Sequence, residues 1–213
     1  MRSHLYWTHI VITTYGAWLL GDARGFRTRD HREHVEGHYK NRPAPGKYEK
    51  RAANSRRALS RPPVRLTASQ REIVGTAIRE RFESLGCTVA ALCVASMHLH
   101  AMVGCPQGNW KRVVGFAKRH AWHELNTKTG FTGDLWGRGS KVIPLRTRDH
   151  QVRTYLYIKD HAERGAWLWV WKDRDKSEHS SVIRKVAHGR QPVGFNRELA
   201  QLDRLDDARG GTR

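Results

Sequence analysis

The chain has 213 residues, with 39 Lys and Arg against 20 Asp and Glu, for a formal net charge of +19. Apolar residues make up 38% and glycine adds 19 residues, enough to build a buried core, so generic disorder is excluded for most of the chain. No stretch reaches the roughly 18 consecutive apolar residues of a membrane span, so the charge points to a polyanion, nucleic acid ahead of an anionic membrane.

Tyr6 to Thr14 is rich in β-branched and aromatic residues and reads as a first strand. The segment from about 21 to 65 carries Gly, Pro, Asn and Arg with few aliphatics, and reads as a long, basic, weakly structured insertion. Thr67-Ala68-Ser69-Gln70 is a capping box that opens a helix with Ile73, Val74, Ala77, Ile78, Phe82 and Leu85 on its apolar face, stopped by Gly86. Cys87 to Ala95 reads as a buried central strand. His98 to Gly104 follows as an alternating one, with His98, His100 and Met102 on one face and Leu99, Ala101 and Val103 on the other.

A second helix spans Asn109 to Asn126. Lys141 to Leu145 is a short strand whose Pro144 suits an edge. Arg148 to Arg164 reads as a third helix ended by Gly165, after which Trp167, Trp169 and Trp171 alternate as in a strand. From Lys172 onward the chain is polar, with a short helix expected near residues 196–208. The order predicts an α+β fold: a ferredoxin-like split βαβ antiparallel sheet with two helices on one face and an added C-terminal helix over the other. The domain division expected is 1–171 with the insertion at 21–65, then a polar tail at 172–213.

Cys87, Cys93 and Cys105 are odd in number with no C-x-x-C spacing, which predicts free thiols in a reducing cytoplasm and no disulfide scaffold. The N-terminus runs directly into the first strand without a signal-peptide apolar segment, which also favours a cytoplasmic, nucleoid-associated place.

Two groups carry candidate chemistry. His98 and His100, two apart on a strand, project from one face and could share a metal ion; with 13 His in the chain such a pair also arises by chance. Tyr157 and His161 are i and i+4 and share a helical face, where an amphipathic helix would also place a core tyrosine. Tyr155 points away from that face. Weaker candidates are His31, His34 and His38, at metal spacing in a charged loop. Phosphate contact is expected at Lys111, Arg112, Lys118 and Arg119 on the second helix, and at Arg56 and Arg57 in the insertion.

A strand with His98-Leu99-His100, followed by a helix with Tyr157-Ile158 and a polar residue four after the tyrosine, resembles the HUH single-tyrosine transposases, including their REP-associated branch. Ile10 to Thr14, Leu135-Trp136-Gly137 and the run from Tyr157 to Gly165 fall in matching order. The resemblance covers roughly Leu5 to Trp171. It implies a divalent ion, Mg²⁺ or Mn²⁺, held by His98, His100 and His161, with Tyr157 as a nucleophile that forms a 5′-phosphotyrosine on single-stranded, hairpin-containing DNA. It leaves monomer and homodimer open. His161 stands where relatives commonly have Gln or Asn, which favours softer ions, and Ser96-Met97 stands where they often have Pro-Asp.

A non-catalytic nucleic-acid-binding protein with an RNA-recognition-motif-like sheet is the alternative, but such sheets stack bases on paired aromatics where this one has His98 and His100. A two-histidine phosphodiesterase needs two His-x-Ser/Thr motifs, and only His179-Ser180-Ser181 fits.

Overall fold

The strand that carries the histidine pair, His98–Cys105, is buried at all eight of its residues, so it must have neighbours on both edges and layers on both faces. The computed structural model describes residues 5–28, 32–37, 42–106 and 109–171. In chain order its elements are β1 (Tyr6–Thr13), α1 (Glu49–Arg57), α2 (Ala68–Ser84), β2 (Thr88–Val94), β3 (His98–Cys105), α3 (Trp110–Thr129), β4 (Lys141–Pro144), α4 (Arg148–Asp160) and β5 (Trp167–Val170). The polar tail with its expected helix, and His31 and His38, lie outside the described residues.

The sheet order is β4-β1-β3-β2-β5, antiparallel throughout. The first four strands give the split βαβ order expected from sequence, and Pro144 does sit on an edge strand. α2 and α3 cover one face, packing against Ile10, Ile12, Leu99, Ala101 and Val103. α4 lies on the other face, where Ile158 meets Ala91, Cys93 and Met102. Among the described residues no helix is long and apolar enough to cross a membrane.

Local chemistry sets the ends of these elements. The Thr67 hydroxyl accepts from the Gln70 N–H while the Gln70 side chain accepts from the Thr67 N–H, so the capping box at the start of α2 is complete. Asn109 and Thr147 cap α3 and α4 in the same way through single bonds. A bulge between Val89 and Ala91 changes the parity of β2: Val89, Leu92 and Val94 all reach the α2–α3 core, while Ala91 and Cys93 turn to α4.

Three expectations need correction. The insertion is more structured than its composition suggests: it contains α1, Phe26 and Val35 are buried, and the Phe26 ring meets Tyr48 edge-on at 5.0 Å. α1 itself buries no residue, so its apolar periodicity was absent; Glu49 in its first turn and Arg56 and Arg57 in its last suit the helix dipole instead. It packs against the chain through Gly21, where an added Cβ would come within 2.3 Å of the Ala52 nitrogen. Second, the third predicted helix does not run on to Arg164. It ends at Asp160 and tightens into a 3₁₀ turn over His161–Arg164, because the Tyr157 carbonyl, which a continuing helix would offer to the His161 N–H, is taken by the His161 ring.

The third correction concerns the cysteines. Cys87 and Cys105 form a disulfide, and among the described residues Cys93 alone is free, buried near α4. The antiparallel register pairs Thr88 with Gly104, so Cys87 and Cys105 come together at the open end of the hairpin. That contact is invisible to spacing rules, and the thiol argument for a reducing compartment falls with it.

β5 is locked to α2 by a glycine. A Cβ at Gly75 would lie 2.2 Å from two ring carbons of Trp167. In an open helix Gly→Ala stabilises by about 1 kcal/mol. Here Gly75→Ala should instead destabilise by about 1–3 kcal/mol through overpacking, measured by urea unfolding, and Trp167→Leu should restore the ordinary sign.

Candidate active site

β3 alternates, so His98 and His100 both point from the sheet toward α4, while the residue that ends α4 brings His161 down to meet them. All three are buried, and their ligand nitrogens lie within 4.8 Å of one another. Ring centres are 4.9 Å apart for His98 and His100, 5.8 Å for His98 and His161, and 4.8 Å for His100 and His161. One turn back along α4, the Tyr157 ring sits 4.7 Å from His161 and 5.2 Å from His100, both nearly edge-on. Tyr157 is only partly buried, so it forms the rim of the site. Tyr155 instead carries the Lys159 ammonium 5.8 Å from its ring centre.

Hydrogen bonds select the tautomers. His161 Nδ1 donates to the Tyr157 carbonyl at 2.8 Å, so in the neutral ring the lone pair is on Nε2. His100 Nδ1 lies 3.0 Å from Nε2 of His9, a fully buried histidine on β1. Among the described residues, His100 Nε2 and His9 Nδ1 have no hydrogen-bond partner. A consistent set has His100 donating from Nδ1 to His9, its Nε2 lone pair facing the other histidines.

Burial drives the electrostatics. It lowers His9 to about 3, helped by the charges of Lys141, His150 and His161. It also holds His100 well below the ordinary imidazole range, followed by His98, His9, His161 and Lys141. Both rings are therefore neutral near pH 7, the form that coordinates metals.

These residues fit a divalent ion. A buried, unpartnered His100 nitrogen is costly unless something occupies its lone pair. Three imidazole nitrogens suit Mn²⁺, Co²⁺ or Zn²⁺ better than Mg²⁺, which favours oxygen ligands.

Two residues near the site escaped the sequence reading. His9 could have been found by parity, since strand alternation puts His9, Val11 and Thr13 on one face and the β1–β3 pairing turns that face toward the histidines. Trp18, in the loop after β1, packs against Val11, as does Tyr157, and carries the Arg24 guanidinium 4.5 Å over its ring.

The basic residues lie elsewhere. Lys111, Arg112 and Arg119 are exposed on α3, on the far side of the sheet, and Arg56 and Arg57 are exposed at the end of α1. Lys118 is engaged internally: its Nζ donates to the Gly137 and Gly139 carbonyls at 3.0 and 2.9 Å, and burial lowers its pKa. His34 bonds the Val35 carbonyl at 2.6 Å.

No family model matches the chain, and neither does any curated protein. Among solved structures, one that is similar is the REP-associated tyrosine transposase bound to a REP hairpin. The identity is 12%, the match covers 75% of this chain and 68% of that one, and the TM-score is 0.42.

Calorimetric titration of the purified chain with Mn²⁺, Co²⁺ and Zn²⁺ should give one site, with Mg²⁺ weaker. His98→Ala, His100→Ala and His161→Ala should each remove it, and His9→Ala should weaken it about 10- to 100-fold by freeing the His100 ring. Unchanged binding in His161→Ala would exclude the triad.

A pH dependence follows for metal-free protein. His9 and His100 stay neutral when folded but gain protons near 6.5 when unfolded. Stability is therefore full above about pH 6.5 and is lost as pH falls toward the folded values, by up to about 1.4 kcal/mol per pH unit per group. Urea titrations in chelator between about pH 7 and 5 should show that decline, shallower in His9→Gln.

Proposed function

We propose that the chain is a metal-dependent endonuclease and strand transferase, a transposase-type enzyme acting on single-stranded, hairpin-containing DNA. Tyr157 is its nucleophile, and His98, His100 and His161 hold the ion, Mn²⁺ or Mg²⁺ in the family it resembles. The observation that carries this reading is the meeting of a part-exposed tyrosine with three buried histidines that share one focus.

A divalent ion held by His98, His100 and His161 would supply charge that polarises a phosphodiester. The Tyr157 oxygen, weakly nucleophilic as a phenol with a pKa near 10, attacks the phosphorus. An O–P bond to Tyr157 forms, the bond from phosphorus to the 3′ oxygen breaks, and the phenolic proton ends on the released 3′-OH. The phosphotyrosine keeps the bond energy, so a 3′-OH from another strand reverses the step without ATP. His161 positions the nucleophile through its bond to the Tyr157 carbonyl. Val11, on β1, packs against the tyrosine from the sheet.

The alternative, an open sheet that stacks bases without cutting, is disfavoured because α4 covers the face such a sheet would use and the central strands present histidines there.

The test is a covalent capture assay. Wild-type protein, Mn²⁺ and labelled single-stranded hairpin DNA should yield an adduct that survives denaturation. Tyr157→Phe and chelation should abolish it, and Tyr155→Phe should not. An adduct that persists in Tyr157→Phe refutes the nucleophile, and one that persists in chelator refutes the metal.

A further inference from the structure

On the face of the molecule away from Tyr157, three arginines converge on one ring. Arg81 of α2 and Arg112 and Arg119 of α3 place their guanidinium carbons 5.6, 5.4 and 5.9 Å from the centre of Phe116. The spacing is helical: Arg112 is four residues before Phe116 and Arg119 three after it, so all lie on one stripe of α3. Among the described residues none of the three pairs with a carboxylate; the ion pairs of these helices join Arg79 to Glu80 and Glu83, and Lys128 to Glu124. Beside the cluster is an open depression of about 370 Å³ lined by Asn109, Lys111, Arg112, Gly115, Phe116 and Arg119. Gly115 leaves its floor open, since an added Cβ would meet nothing within 4 Å.

Like charges gathered this closely repel, and the face of a phenyl ring is what makes the arrangement tolerable, because its π-electrons attract each cation. Held beside the ring, the guanidinium forks lose less freedom when they bind an oxyanion. The row from Lys111 to Arg119 runs about 12 Å along the helix, longer than a single phosphate group and suited to a chain of them.

We infer that Arg81, Arg112, Phe116 and Arg119 form a phosphate clamp for the DNA backbone, separate from the tyrosine site and gripping the same DNA on the opposite face of the sheet. The inference rests on the reading that DNA is the substrate, and it adds a place of grip that is independent of the chemistry. The ring orders the arginines and the arginines bind phosphodiesters, so the clamp holds DNA by its backbone rather than by its base sequence.

The experiment measures equilibrium binding of a fluorescent hairpin oligonucleotide by anisotropy, in the Tyr157→Phe background and without metal, so that no covalent capture contributes. Arg81→Gln with Arg112→Gln and Arg119→Gln should lower affinity at least about tenfold at 0.1 M salt and make the slope of log K against log salt shallower by about 2 to 3. Phe116→Leu keeps every charge; it should weaken binding several-fold with the salt slope unchanged. Arg65→Gln with Arg138→Gln and Arg146→Gln removes the same charge from other exposed positions and should cost less affinity than the clamp variant. Unaltered affinity in the clamp variant overturns the proposal, as does an equal loss in the charge-matched control. Loss of binding to phosphatidylserine vesicles with DNA binding intact would overturn it in favour of a membrane surface. The Arg112→Gln and Arg119→Gln pair, both at exposed positions, gives the same reading if Arg81→Gln disturbs folding. Failure of the proposed chemistry is seen separately, as absence of the covalent adduct in wild-type protein.

Discussion

The position of β3 at the middle of the sheet is the constraint on which the rest depends. A strand buried on both faces has no solvent side on which to put polar groups, so every side chain must be satisfied by what is packed against it. Leu99, Ala101 and Val103 meet that demand with aliphatic contact to α2 and α3. His98 and His100 cannot, and the molecule answers by setting imidazoles and a phenol around them, tilted or edge-on, from β1 and α4. The site is the polar half of the same strand that builds the core.

Burial also decides what these histidines can do. In water an imidazole divides its time between charged and neutral forms near neutral pH; here desolvation removes the charged form of His9 and His100. What remains is a set of rings whose proton positions are assigned by neighbours: the Tyr157 carbonyl for His161, and His9 for His100. His9 thus belongs to the site although it lies on a different strand and shares no motif with the pair.

Much of this was legible in the sequence because it rests on local rules. The capping box at Thr67, the alternation of β3 and the apolar stripes of α2 and α3 are each written within a few residues. They were sufficient for the split βαβ order of the first four strands and for the expectation that Tyr157 and His161 share a face. What escaped depends on pairing across the chain. Cys87 and Cys105 are distant in sequence and meet only through hairpin register. The parity change at the β2 bulge has no residue signature. α1 carries no apolar stripe to read. Lys118 looked like one more surface cation, but the loop that arrives from Gly137 to Gly139 takes its ammonium inward.

The bond from the His161 ring to the Tyr157 carbonyl has a mechanical meaning as well. One ring holds the last turn of α4 open into its tighter 3₁₀ continuation, and the same ring faces His98 and His100. A force that draws the ring toward the sheet is passed through one hydrogen bond to the backbone that bears the tyrosine. The end of α4 is therefore tied at one point: a single hydrogen bond joins the imidazole that faces the histidine pair to the backbone that carries the phenol.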